Sequence, residues 1–244
     1  MYSRVEIELG FVTGQIRSCC GPLFFTRSLE SAAQSVTANA SFGLVDTGIK
    51  RLLVTCHHVW QTLQEERRTF PGLKMCACLD KGPPVVVHPE QLIDADTNLD
   101  LATFDMASLL PGCAGRTFFP LSSKEESDVR RGDRIAFIGY PGRFRSSDRT
   151  GIQFGFSMYA VNVSDFNALR LVVNLSRAKE VRYREPEQPD QESPHGGISG
   201  SPCFLVRSDQ PLQLVAFATE EAMQILRFTR ARCLNPDGTL SRHA

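Results

Sequence analysis

The sequence predicts an all-β protein, a barrel or sandwich of short strands with one helix near the C-terminus. Three observations carry that expectation. Short apolar runs rich in β-branched residues recur along the chain, each bounded by turn residues. Several of them come in pairs separated by a tight polar turn. Helical periodicity is sparse by comparison.

The runs can be followed in order. Ala40 to Val45 and Arg51 to Thr55 flank Asp46-Thr47-Gly48, a hairpin signal. Pro84 to His88 is a short β-branched run, and Leu101 to Phe104 follows the polar stretch Asp94 to Asn98. Ile135 to Ile138 lies between Gly132-Asp133-Arg134 and Gly139-Tyr140-Pro141-Gly142. Gly151 to Val163 and Ala168 to Leu175 flank a turn at Ser164 to Asn167. Pro202 to Val206 and Leu212 to Ala218 flank another at Arg207 to Pro211. Frequent turns between short strands favour a barrel or sandwich. Two segments are expected to be helical. Leu29 to Gln34 is short, with Ser28 as its cap, and Glu220 to Arg232 carries Ala222, Ile225, Leu226 and Phe228 at near-helical spacing. Ser122 to Arg131 reads as a linker, and Glu180 to Ser193, with Pro186 and Pro189, as an exposed loop.

Composition narrows the function classes. A hydrophobic fraction of 42% over 244 residues supplies enough apolar side chains for a real core. The 27 basic residues balance 27 acidic ones, so no polyanion-binding surface is implied and nucleic acid is not an expected partner. No apolar run approaches the roughly 18 residues of a spanning helix, so no membrane role is expected. Glu6 and Glu8 interrupt the stretch where a secretory signal would be apolar. Together with that start, the eight cysteines read best as reduced thiols in a cytoplasmic protein. Cys76-Ala77-Cys78 and Cys19-Cys20 lack the spacer of zinc-binding pairs, so no metal is expected, although a cysteine-ligated zinc module stays open as a rival.

Three positions together carry chemistry. Ser199 sits in Gly196-Gly197-Ile198-Ser199-Gly200-Ser201-Pro202. A nucleophilic serine needs exposure at a turn with backbone N–H groups converging beside it, and glycines permit that backbone. The N–H groups of Gly197 and Ser199 are the expected oxyanion donors. His58 ends the apolar run Leu53 to Cys56, where an imidazole can leave a barrel for a cleft, with His57 as its competitor. Asp100 lies between Leu99 and Leu101 at the entry to a strand, so its carboxylate is expected to be partly buried and to need a partner such as a histidine Nδ1–H. Asp94, Asp96 and Asp105 compete for that role. Taken singly, each residue also fits a plain loop, a structural histidine or a turn-capping aspartate. Their combination in the order His, Asp, Ser is the informative signal.

That combination resembles the chymotrypsin-like (trypsin-fold) serine proteases. Thr55-Cys56-His57-His58-Val59 resembles the family's Thr-Ala-Ala-His segment, which assigns the base to His58. Asp100-Leu101-Ala102 resembles its Asp-Ile/Leu-Ala segment, and Gly197 to Pro202 its Gly-x-Ser-Gly-Gly/Ser-Pro segment. The Ser-Gly-Ser-Pro form and Val59 are closest to bacterial glutamyl endopeptidases and Deg-type proteases. Gly132 to Gly142 resembles the strand that opens their second barrel. The resemblance spans roughly residues 38 to 230. It implies two six-stranded antiparallel β-barrels of the chymotrypsin type with the site in the cleft between them. Residues 30–120 would form the barrel carrying His58 and Asp100, and residues 121–235 the barrel carrying Ser199. It also implies a serine endopeptidase acting on a protein or peptide substrate, without a cofactor.

Two departures from the family matter. Ile198 stands where digestive members carry an aspartate that pairs with a newly cut N-terminus, so that route of activation is closed. The family's disulfide beside the base lacks its partner, which leaves Cys56 as a small buried apolar residue. The resemblance places the primary pocket near Ser193, His195, Ala218 and Glu220. A neutral Ser193 argues against a strict preference for Lys or Arg, and the residue preference is left open. A catalytically silent binding or regulatory module on the same fold is the main alternative. An ester or small-amide hydrolase and a regulatory protein partner also stay open.

Overall fold

Strand β2 (Asn39–Asp46) pairs antiparallel with β3 (Arg51–Thr55), forming the hairpin expected from the sequence. At its turn Asp46 Oδ1 accepts from the Gly48 N–H at 2.8 Å, and Gly48 takes the left-handed φ of 81° that glycine adopts without a Cβ clash. The structure, a computed structural model, describes residues 4–29, 39–79, 83–113, 115–121, 128–148, 151–183, 196–208 and 210–242. Around the hairpin, β1 (Cys20–Thr26), β4 (Lys74–Ala77), β5 (Val85–Val87), β6 (Leu92–Asp96) and β7 (Leu101–Asp105) complete a curled sheet of order β5-β4-β1-β2-β3-β7-β6. The short β8 (Phe119–Pro120) runs parallel to β2. Two helices flank this sheet, α1 (Arg4–Ser18) before β1 and α2 (His57–Thr69) directly after β3.

The second half closes on itself. Strands β9 (Arg134–Gly139), β12 (Phe156–Phe166), β13 (Arg170–Asn174), β15 (Pro202–Leu205), β16 (Gln213–Ala222) and β17 (Ile225–Arg230) follow the order β13-β17-β16-β15-β9-β12. Pairing of β12 with β13 then joins the ends into a six-strand barrel. Strand β14 (Lys179–Tyr183) adds to β12 outside that ring, while β10 (Arg145–Asp148) and β11 (Gly151–Phe154) form a separate ribbon. A closed barrel beside a curled half-barrel sheet is compatible with the double-barrel fold of trypsin-like proteases.

Alternation explains why several strands are apolar on both sides. In β3, Leu53 points into the N-terminal half-barrel, whereas Leu52 and Val54 point into the layer between the halves. In β9, Ile135 and Phe137 fill the closed barrel, whereas Ala136 and Ile138 face the same middle layer. That layer also holds Ile16, Cys20, Tyr140, Phe204 and Phe217, all buried. Three stacked apolar cores thus fix how the halves meet, and with them the cleft.

The expected C-terminal helix is absent. Residues 220–232 instead continue β16, turn at Met223 and Gln224, and return as β17. Both turn residues have positive φ, 49° and 67°, as a two-residue hairpin turn demands. Leu226 and Phe228 are buried while Arg227 between them is exposed, a period of two that packs better in the barrel than as an isolated helix. Helix α1 goes the other way. Gly10, Gly14 and its β-branched residues weaken the helical signal, so packing of Ile16 into the middle layer must hold it. Residues 30–34 of the expected first helix lie outside the described residues, as do 122–127 of the linker and 184–193 of the long loop, whose first four residues, 180–183, belong to β14 instead. Among the described residues no helix is long and apolar enough to cross a membrane.

Candidate active site

His58 occupies the first turn of α2. That helix starts without local help: Cys56 at its N-cap makes no side-chain cap, and no acidic residue lies in the first turn. Asp100 supplies the missing acceptor from another element. Its Oδ1 accepts from the His58 backbone N–H at 3.0 Å, and its Oδ2 accepts from His58 Nδ1 at 2.8 Å. An ionised carboxylate only accepts, so the ring proton is drawn to Nδ1 and Nε2 keeps its lone pair. The Asp100 side chain is 19% exposed and that of His58 48%, so the acid is sheltered while the ring reaches the cleft.

Asp100 itself has φ 53°, a left-handed conformation that a non-glycine residue adopts at a cost of about 1 kcal/mol. The turn is held from the other barrel. Arg170 in β13 donates from Nη1 to the Leu99 carbonyl at 3.0 Å and from Nη2 to the Asn98 carbonyl. Thr229 in β17 donates its hydroxyl to the Leu99 carbonyl as well. Leu99 is buried beneath this network. The second barrel therefore fixes the acid of the first.

Ser199 sits on the tight turn that leads into β15. A Cβ on Gly200 (φ 91°) would collide with the Ser41 carbonyl and with Thr55 Oγ1, and one on Gly197 (φ 109°) with the Tyr140 carbonyl and Asn39 Nδ2. Both glycines are thus required by close backbone approach as well as by dihedral angle. Buried Ser41 binds the loop to the first sheet. Its N–H donates to the Ser199 carbonyl at 2.8 Å, its Oγ donates to the Gly197 carbonyl at 2.6 Å, and that Oγ accepts from the Tyr140 N–H at 3.2 Å. From the other side the Gly200 N–H donates to the Ala218 carbonyl at 2.8 Å. Among the described residues the N–H groups of Gly197 and Ser199 donate to no acceptor.

His58 and Ser199 line two adjoining cavities. One, of about 250 Å³, is lined also by Leu23, Phe25, Ala40, Val59 and Gly197. The other, of about 560 Å³, is lined by Thr97, Asp100, Arg170, Thr219, Glu220 and Glu221. No hydrogen bond joins the Ser199 hydroxyl to His58 among the described residues.

Of the positions expected at the primary pocket, Ser193 and His195 lie outside the described residues. Ala218 is fully buried in the closed barrel's core, with both its backbone groups bonded to the Ser199 loop. Glu220 lines the larger cavity and pairs with Arg227 across the hairpin at 2.7 Å. Ile198 is buried and packs against Gly139, so the residue before Ser199 anchors the loop in the core.

Sequence reasoning missed Ser41, Arg170 and Thr229. A serine inside the apolar run Ala40 to Val45 is the only sign the first gives. It also undervalued Cys56. This thiol is fully buried, donates to the Ala218 carbonyl at 3.1 Å, and shares a cluster with His58 and Asp100 whose donor atoms lie within 4.8 Å of one another. Burial, reinforced by the Asp100 carboxylate, pushes its pKa well above the usual thiol range. All eight cysteines are free.

The sequence matches no protein-family model and no curated protein.

Proposed function

We propose that this chain is a serine endopeptidase working through an acyl-enzyme, with Ser199 as nucleophile, His58 as general base and Asp100 as the group that orients His58. The single observation that carries this reading is the 2.8 Å contact between His58 Nδ1 and Asp100, made beside a cleft that His58 shares with Ser199. Ser199 attacks the peptide carbonyl as His58 Nε2 takes its proton, and a C–O bond forms while the carbonyl π electrons move to oxygen. The N–H groups of Gly197 and Ser199 receive that oxyanion. Its collapse breaks the C–N bond, His58 returns the proton to the departing amine, and water then repeats the sequence to free the acid. Substrate closes the geometry, because catalytic hydrogen bonds commonly tighten only when the cleft is occupied.

One observation favours the alternative, a catalytically silent module on the same fold. Among the described residues the Ser199 hydroxyl makes no hydrogen bond to His58, although His58 bonds firmly to Asp100. Mapping of cut sites in a peptide library, with the purified chain and its Ser199→Ala variant, separates the two. The protease reading expects sites cut by the wild type and lost in the variant. Identical digests from both proteins would leave the silent module as the better account.

A further inference from the structure

The geometry points to a zinc site beneath the cleft, in which Cys56 Sγ, a ring nitrogen of His58 and the Asp100 carboxylate hold one Zn²⁺ and thereby disable His58. The thiol, imidazole and carboxylate atoms lie within 4.8 Å of one another. A tetrahedral zinc ion with bonds of about 2.0–2.3 Å spaces its ligands by roughly 3.3–3.8 Å, so the widest pair need close by no more than about 1 Å, while Nδ1 and the Asp100 oxygen, 2.8 Å apart, open by about 0.5 Å where Nδ1 is the ligand. The donor set of one sulfur, one nitrogen and one oxygen selects zinc over magnesium or calcium, which prefer oxygen alone. The ion enters through the larger cavity, which His58 and Asp100 both line and where the His58 ring is about half exposed. Arg170 lines the same cavity and opposes a cation, which places the expected affinity below that of a closed structural site.

Binding balances simply. Cys56 loses its S–H proton to solvent and forms a Zn–S bond, while neutral His58 and ionised Asp100 each give a lone pair. If the ion takes Nδ1, the ring proton moves to Nε2, and if it takes Nε2, the lone pair is used directly. Either way Nε2 can no longer accept the Ser199 proton. The site itself stands without the protease reading, whereas the loss of base function rests on it.

Titration of the purified full chain with Zn²⁺ against a chromophoric chelator, and with Co²⁺ as a spectroscopic stand-in, tests the site without any turnover. Wild type is expected to bind about one Zn²⁺ and to show thiolate-to-cobalt charge-transfer absorption. Cys56→Ala loses that absorption and binds zinc at least tenfold more weakly, while Cys76→Ala keeps both. His58→Ala, a change at an exposed ring, also weakens zinc at least tenfold and guards against misfolding of the Cys56 variant. Absence of the cobalt band in wild type, its persistence in Cys56→Ala, or unchanged zinc affinity in His58→Ala overturns the site. Saturating zinc is further expected to slow fluorophosphonate labelling of Ser199 at least tenfold, and unslowed labelling overturns the switch. A chain that binds zinc but is never labelled counts against the protease reading alone.

Discussion

The Asp100 carboxylate accepts two hydrogen bonds from His58, one from its backbone N–H at 3.0 Å and one from ring Nδ1 at 2.8 Å. One group therefore caps the helix that carries His58 and sets the tautomer of its ring. Cap and tautomer can be separated by mutation. Asp100→Asn keeps an acceptor for the backbone N–H, but an amide N–H facing the ring forces the proton onto Nε2. We expect a folded protein whose peptidase rate falls by about 10⁴-fold. Asp100→Ala loses the cap as well, costing about 1 kcal/mol more, or roughly 2–4 °C in Tm for a chain of this size. Calorimetry and peptide hydrolysis on the two variants check both numbers.

The turn that presents Asp100 is held from the opposite barrel. Arg170→Met removes the donors to the Asn98 and Leu99 carbonyls. A left-handed Asp100 with less support should sample other conformations, lowering kcat about tenfold with KM nearly constant. Arg170→Lys, which keeps the charge and one reach, should recover part of that loss. Equal effects on kcat and KM in both variants would mark Arg170 as a substrate contact instead.

Gly200 has no room for a side chain. Gly200→Ala would drive a Cβ into the Ser41 carbonyl at a φ of 91°, a strain on the order of 3 kcal/mol. The expected result is a Tm lower by roughly 6–12 °C together with loss of Ser199 reactivity. By contrast Gly48→Ala also carries a positive φ but meets open space, so its cost should be nearer 1 kcal/mol. Thermal melts of the pair measure the difference.

Acid stability should depend on the Lys50–Asp105 pair. Lys50 Nζ donates to Asp105 Oδ2 at 2.5 Å and holds that carboxyl below its usual range, helped by the Ala107 N–H. A carboxyl whose pKa is depressed by folding stabilises the protein above its unfolded pKa of about 3.9, and that contribution is lost as pH falls through the lower folded value. Lys50→Met should therefore lower stability near pH 7 by up to about 1 kcal/mol, since both groups are about a third exposed, and by less near pH 2. Urea melts at the two pH values check the sign.

How much of this was readable in the sequence depends on the kind of contact. The β2–β3 hairpin and β9 were legible because apolar runs and turn residues are local signals. His58, Asp100 and Ser199 each sit in a distinctive short segment and so stand out as candidates, and the structure brings the first two into contact. The hairpin of β16 and β17 was not legible, because Ala222, Ile225, Leu226 and Phe228 satisfy a helical spacing and a strand alternation alike. Pairing partners across the barrel decide between them, as with Glu220 opposite Arg227. Arg170, Thr229 and Ser41 act on residues 71, 130 and 156 positions away, on Leu99, Leu99 and Gly197 respectively, and no local pattern marks them. The position of Cys56 under His58 likewise emerges only when β3, β7 and the Ser199 loop come together.

The reactivity of one hydroxyl tests the account most directly. Wild type, His58→Ala and Asp100→Asn can each be incubated with a fluorophosphonate and the modified residue located by peptide mass spectrometry. The account predicts one label per chain, on Ser199, formed at least a hundredfold more slowly in either variant. A wild-type chain that stays unlabelled, or that labels at Ser199 no faster than its His58→Ala variant, would contradict it.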